Sequence, residues 1–332
     1  MRPSATIPLR DSLTDWVSIG MRIGVDLGGT KIEAIVIAPN GAEIARKRVP
    51  APHGDYANTI SAIRDLVLDI ERDAGISGEP VGVGIPGATS PQTGLFKNGN
   101  STWLIGHPID KDLSAALNRP VRVANDANCF ALSEAIDGAG RGAETVFGVI
   151  LGTGTGGGLV VHQRVLAGHN GVAGEWGHNP LPWATESERP GPACYCGHTG
   201  CIETFLSGGA LVRTYRHETG HHPGPEVDAP WVHEAALRGD AAALAAFDKY
   251  TNRLARALAH IINIFDPDVI VLGGGVSNVD LLYEAVPKIW TRWTFGNEVT
   301  TPLLRNVHGD SSGVRGAAWL WPPETSSGME PS

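Results

Sequence analysis

The chain reads as an α/β protein of two lobes, on three observations. Its 332 residues are long enough for two domains that each bury a substantial core. Strand-like and helix-like stretches alternate along it. The layout of its beginning also returns: "GVDLGGTKIEAIVIAPNGAEI" at Gly24 and "GVILGTGTGGGLVVHQRVLAG" at Gly148 each give an apolar strand, a Gly/Thr turn, a second apolar strand, a polar turn and a third strand. We read this as a degenerate internal duplication in which each copy founds one lobe. The first lobe is expected over residues 21–124, with a last helix near 311–322 packing back onto it, and the second over 125–310. Residues 1–20 precede a strong strand pattern and are read as a disordered tail or a mis-assigned start.

The elements follow in order. Arg22 to Val49 predicts a three-stranded antiparallel meander with an Asn-Gly hairpin turn. Ile60, Ile63, Leu66, Val67 and Ile70 fall at helical spacing, and "VGVGIPG" at Val81 to Gly87 reads as a buried strand. Residues 88–106 lack a clear period and are expected to form a long loop near a site. A short helix at about 110–117, the strand "PVRVAN" and a helix starting near Asp126 come next. After the second meander, "ALAAFDKYTNRLARALAHIINIFDPDVIVLGGG" predicts a long amphipathic helix, an Asp-Pro-Asp break, a buried strand and a triple-glycine turn.

Composition narrows the function classes. A net charge of −9 gives no electrostatic reason to expect nucleic acid or an anionic membrane as partner. No apolar run is long enough to span a bilayer, and the opening segment lacks the apolar core of a signal peptide, so a cytoplasmic location is expected.

Two Gly/Thr turns present backbone N–H groups suited to phosphate oxygens. The first, with Gly28, Gly29 and Thr30, carries Asp26 before it and Lys31 after it; the acid is placed to hold Mg²⁺ through water, and Thr30 and Lys31 to reach phosphate. Taken alone, "DLGGTK" is equally an ordinary hairpin turn. The second, from Gly152 through Thr153 and Gly154 to Gly157, matches G-x-G-x-x-G, which raises a dinucleotide-dependent oxidoreductase; that fingerprint needs a following helix, and here the pattern continues as strand. Gly274 and Gly275 allow a flat ligand to approach the backbone, or form a mere turn. In "VANDANCFALSEA", Asn125 and Asp126 stand where a strand meets a helix. Helix capping and general-base catalysis both fit Asp126.

Cys194, Cys196 and Cys201 are three of four cysteines and fall within eight residues. With two glycines between them they suit a tight metal loop better than disulfides, and free thiols are the alternative. A fourth ligand from His178 in a separate segment is favoured over His198 inside the loop, which gives a closed Cys₃His set and a structural zinc. Such a staple would fix Glu175 and Glu203 in one region, where they could hold the hydroxyls of a polyol. Cys129 is read as core.

The ordered set "DLGGTK", "GIPG", "NDAN", "GTGTGGG", "GEWGH", "CYCGHTGCIE" and "DPDVIVLGGG" resembles the ROK family of sugar kinases and related repressors, from about Met21 to Pro322. The resemblance implies an actin-like (ribonuclease H-like) ATPase fold with ATP, Mg²⁺ and sugar in the cleft between lobes, and a homodimer. Carried over motif by motif, it implies Asp126 as catalytic base, a sugar site of Gly87, Asn100, Asn125, Glu175, His178 and Glu203, phosphates held by the two Gly/Thr turns, and adenosine bordered by Gly274 and Gly275. Within the family, "KNGNSTW" and "GEWGHNPLPW" look most like fructokinases of the manno(fructo)kinase type, which makes D-fructose the expected acceptor, with mannose, glucose or N-acetylglucosamine as alternatives. A non-catalytic sugar sensor is the other class; the family's repressors carry a DNA-binding domain for which residues 1–20 are too short.

Overall fold

The computed structural model describes residues 20–99, 101–220, 224, 227–296 and 298–322. Its first half is built on β1 (Arg22–Leu27), β2 (Lys31–Ile37) and β3 (Glu43–Pro50), then α1 (Tyr56–Ala74) and β4 (Val81–Ile85). A two-residue hairpin of β5 (Ala88–Thr89) and β6 (Phe96–Lys97), α2 (Ile109–Leu117) and β7 (Val121–Asn125) complete it. The second half contains α3 (Asp126–Ile136), β8 (Thr145–Leu151), β9 (Thr155–Val161), β10 (Arg164–Val165), α4 (Glu203–Leu206), α5 (Gly208–Thr219), α6 (Ala229–Leu237), α7 (Ala241–Phe265) and β11 (Val269–Gly273). The chain then forms α8 (Asp280–Trp290), β12 (Leu303–Arg305) and α9 (Ser312–Trp319).

The duplication read from the sequence is visible in the sheets. One has the order β3-β2-β1-β4-β7 and the other β10-β9-β8-β11-β12. In each, three strands run as an antiparallel meander and two more add in parallel beyond its first strand. The fold is the actin-like α/β architecture. The segment expected to be a plain loop holds the β5–β6 pair and a 3₁₀ turn at Thr102–Leu104, elements too short to leave a periodic trace.

Helix ends follow local chemistry. The Asp55 carboxylate accepts the Asn58 N–H to start α1, which buries Ile63, Leu66, Val67 and Ile70 and stops at Gly75 in the left-handed region. Asp240 caps α7, whose 25 residues end at Phe265, with Asp266 as the left-handed C-cap just before Pro267.

Helices α3 and α9 pack against each other between the sheets, α3 on β8 and β9 and α9 on β1 and β4. Glycine makes both approaches possible: a Cβ at Gly82 would stand 1.8 Å from the Ala317 carbonyl oxygen, and one at Gly158 would stand 2.5 Å from that of Ala127. Buried Glu134 on α3 ties the crossing, accepting from the Ala139 N–H, the Val307 N–H and the Ser312 hydroxyl. Asp137 adds an ion pair to Arg315. Further along, the Trp321 indole donates to the Val81 carbonyl at 2.7 Å, holding the segment after α9 on the first sheet. Among the described residues no helix is long and apolar enough to cross a membrane.

Candidate active site

A cleft of about 300 Å³ opens where β4 and β7 of the first sheet face the β8–β9 turn of the second. Gly87, Asn125, Asp126, Thr153, Gly154, Glu175, His178 and Glu203 all line it, so eight of the residues singled out in the sequence converge on one space. Asn100 lies outside the described residues.

Asp126 opens α3, but Asn125 does the capping: its Oδ1 accepts the N–H of Ala127 at 2.9 Å and of Asn128 at 3.3 Å. The Asp126 Oδ1 accepts the same Ala127 N–H at 2.8 Å, so the aspartate shares the first-turn bond while lining the cleft. Burial raises the Asp126 pKa, the Ala127 N–H opposes that, and the charge of Glu175 adds to it. Asp26 at the end of β1 is also driven up, to about 6, by burial first and then by Asp126 and Glu33, with Lys31 opposing. Asp26 does not line the cleft, but its charge and that of Asp126 disfavour one another, a repulsion that a bound cation would relieve.

The two glutamates are fixed from different directions. Glu203 begins α4, and its Oε2 accepts the Thr155 N–H at 3.0 Å, so the end of the cysteine loop is pinned to the second Gly/Thr turn. A Cβ on Gly154 would meet that same oxygen at 2.6 Å. Glu175 precedes a 3₁₀ turn over Trp176–His178. The Trp176 indole donates to the Gly156 carbonyl at 2.9 Å and its ring stands edge-on to Phe147, which holds Glu175 and His178 over β9.

The cysteines answer to the same geometry. One ligand atom from each of His178, Cys194, Cys196 and Cys201 lies within 4.8 Å of all the others. His178 Nδ1 is 3.6 Å from Cys194 Sγ, and Cys196 Sγ is 3.6 Å from Cys201 Sγ. Tetrahedral zinc with Zn–S bonds of about 2.3 Å places its sulfurs about 3.8 Å apart, so the donor set fits this metal. His198 is not in the cluster; its carbonyl instead accepts the Cys194 N–H at 2.8 Å, closing the loop. Hydrogen bonds from the Leu181 N–H to the Gly200 carbonyl and from the Ile202 N–H to the Asn179 carbonyl join the loop to the histidine segment.

Other predicted residues lie at the margins. Gly28, Gly29, Thr30 and Lys31 do not line the cleft, and Lys31 turns toward Glu33 at 3.7 Å. Gly152 accepts from the Gly208 N–H, which brings the start of α5 to the turn. Gly274 packs on the Leu151 backbone with φ 81°, and Gly275 borders a recess of about 120 Å³ with Leu211, Ala229 and His233. Lining residues that went unread in the sequence include Asn98, held at φ 59° in the loop after β6, and Tyr195 between the first two cysteines. The Asn98-Gly99 pair signals a turn without saying that its side chain reaches the cleft, and an aromatic between metal ligands reads as filler until the loop is folded. A separate cavity of about 620 Å³ beside α5 and α7 is lined by Arg253 and Arg256, both already paired with Glu188.

The comparisons with known proteins agree with this geometry. The ROK family model matches residues 22–324. An N-acetyl-D-glucosamine kinase of Yersinia pseudotuberculosis is 39% identical over 305 residues, covering 90% of this chain and 98% of that protein. The ROK hexokinase of Thermus thermophilus superposes with a TM-score of 0.79 at 34% identity, over 90% of this chain and 97% of the other. A ROK family glucokinase from Streptomyces griseus, solved with glucose and AMPPNP, gives 0.74 at 30% identity, over 91% and 99%. This chain belongs to the ROK family, the sugar kinases and related repressors that its ordered motifs resemble.

Proposed function

We propose that the protein is an ATP-dependent kinase of N-acetyl-D-glucosamine that phosphorylates the primary 6-hydroxyl. Half-buried Asp126, with its raised pKa, carries this reading, because it shares one cleft with a phosphate-type turn at Thr153–Gly154 and with three polyol-binding side chains, Glu175, His178 and Glu203. The fructose expected from the sequence is set aside in favour of the amino sugar. A relative 39% identical over nearly its whole length is an N-acetyl-D-glucosamine kinase, and the resemblance to fructokinases rested on short motifs.

In this reading Glu175, Glu203, His178 and Asn125 orient the sugar, and Asp126 accepts the proton of the 6-hydroxyl as that oxygen attacks phosphorus in line. A carboxylate of raised pKa is the better base for a hydroxyl proton near neutral pH. The backbone N–H groups of both Gly/Thr turns hold phosphate oxygens. Asp26 is placed to hold Mg²⁺, which supplies charge neutralisation on the phosphates when bound. Gly274 and Gly275 border the nucleoside. Zinc on His178, Cys194, Cys196 and Cys201 orients the sugar-binding groups and takes no part in the transfer.

The test is ADP release with ATP and Mg²⁺ across N-acetylglucosamine, glucose, mannose, N-acetylmannosamine and fructose, on protein of measured zinc content. The highest kcat/KM is expected for N-acetylglucosamine; a preference for fructose would restore the earlier assignment, and no turnover of any sugar would point to a sensor.

A further inference from the structure

Beside the sugar cleft lies a second cavity of about 690 Å³. It shares Asn98, Glu175, His178 and Tyr195 with the cleft and continues past Thr102, Val172 and His198. Asp126 and the second Gly/Thr turn line the cleft and take no part in this extension. The cavity therefore opens from a side of the cleft that Asp126 does not line, past Asn98, His178 and Tyr195.

Tyr195 stands at the threshold. Its hydroxyl is 3.1 Å from His178 Nε2, the ring nitrogen turned away from Cys194, and the two rings meet edge-on at 5.2 Å. Its backbone is held between Cys194 and Cys196, yet its side chain is 71% exposed, an unusual outlay of aromatic surface for a residue with no core role.

Sugar stereochemistry says what reaches this end. In a hexopyranose, C2 lies across the ring from C5, which bears the 6-hydroxymethyl group. With the 6-hydroxyl at Asp126, the substituent on C2 points away from the base, toward the residues common to both cavities. Resting on the amino-sugar reading above, we propose that the second cavity is the subsite for the 2-acylamino group and that Tyr195 is its specificity-determining residue, its ring forming the wall against which the acyl chain packs. A space of about 690 Å³ is of the size that ordinarily takes a whole small ligand, far more than an acetyl group fills. The enzyme should therefore accept 2-acylamino sugars with longer acyl chains.

The experiment is kcat/KM for N-acetyl-, N-propionyl- and N-butyrylglucosamine and for glucose, on zinc-loaded wild type, Tyr195→Phe and Tyr195→Ala. Wild type should lose less than about fivefold from acetyl to butyryl, whereas a close-fitting pocket loses about tenfold or more per methylene. Tyr195→Ala should lower the preference for N-acetylglucosamine over glucose by about tenfold, carried by KM rather than kcat, and Tyr195→Phe, which keeps the ring, should retain it. A steep loss along the acyl series in wild type, or an equal loss on both sugars in Tyr195→Ala, overturns the subsite while leaving the kinase assignment intact. Turnover of glucose with none of N-acetylglucosamine overturns the sugar assignment itself, and the subsite with it.

Discussion

The two Gly/Thr turns share a layout, but their glycines do different work. At the first, Gly29 has nothing within 4 Å of where a Cβ would stand, and Gly29, Thr30 and Lys31 are exposed. At the second, a Cβ on Gly154 would meet Glu203, on Gly157 the Trp176 ring and the Gly174 carbonyl, and on Gly158 the backbone of α3. One turn is open to a ligand from outside; the other is a crowded joint through which the base helix, the Glu175–His178 segment and the cysteine loop are all brought to the cleft. The first copy keeps access and charge, while the second combines a cleft-lining turn at Thr153–Gly154 with glycines that serve packing.

Substitutions can break this contrast. Of the two turns, the larger effect is expected at the charged one. Asp26→Asn should cut turnover by about 100-fold if, as proposed, this carboxylate holds the metal beside the phosphates. The same change should stabilise the ligand-free protein. Folding raises the Asp26 pKa from the ordinary carboxylate value to about 6, so the folded state binds the proton more tightly than the unfolded chain, and stability falls as pH rises from about 4 to about 6 and stays lower above. The shift corresponds to about 3 kcal/mol, which a neutral Asn avoids. Thermal melts at pH 4.5 and 7.5 check this; a variant no more stable than wild type at pH 7.5 would show that the carboxylate is not held against its solvation.

At the crowded joint, Gly157→Ala should destabilise by about 1–3 kcal/mol by overpacking, because the new methyl would lie 2.6 Å from Trp176 and 2.9 Å from a backbone carbonyl. Sugar KM should rise with it, as Trp176 carries Glu175 and His178. A stable variant with normal sugar KM would contradict the scaffold role. Zinc removal by a chelator acts on the same joint from its other side, lowering Tm and raising sugar KM more than ATP KM; unchanged sugar kinetics in zinc-free protein would separate the staple from the site. The smallest effect is expected for Gly29→Ala, with stability within about 0.5 kcal/mol of wild type and a higher KM for ATP alone. A marked drop in Tm there would mean the first turn is packed after all.

Much of this was legible in the sequence because its signals are local. Period-two meanders, the Asp-Pro-Asp stop after α7 and the crowded cysteines each declare themselves within a few residues. Eight of the residues singled out in the sequence line one cleft because strand ends and helix starts deliver side chains to a predictable place. What escaped depends on the third dimension. The turn from Gly152 to Gly157 reads as a phosphate turn, and the close packing at Gly154, Gly157 and the following Gly158 is something no local pattern reveals. Tyr195 and Asn98 matter because separate segments meet around them, and the β5–β6 pair is too short to show a period. Substrate choice was least legible of all, since groups that tell one hexose from another differ by only a few kcal/mol of contact.

The most direct measurement is ADP release by Asp126→Asn with N-acetylglucosamine, alongside sugar and nucleotide binding to the same protein. As a general base positioned in the cleft, Asp126 should account for about 10² to 10⁴ of the rate, so turnover should collapse by that factor while both ligands still bind. Turnover within about tenfold of wild type would contradict the account, because the buried carboxylate at the head of α3 would then serve the fold and not the chemistry.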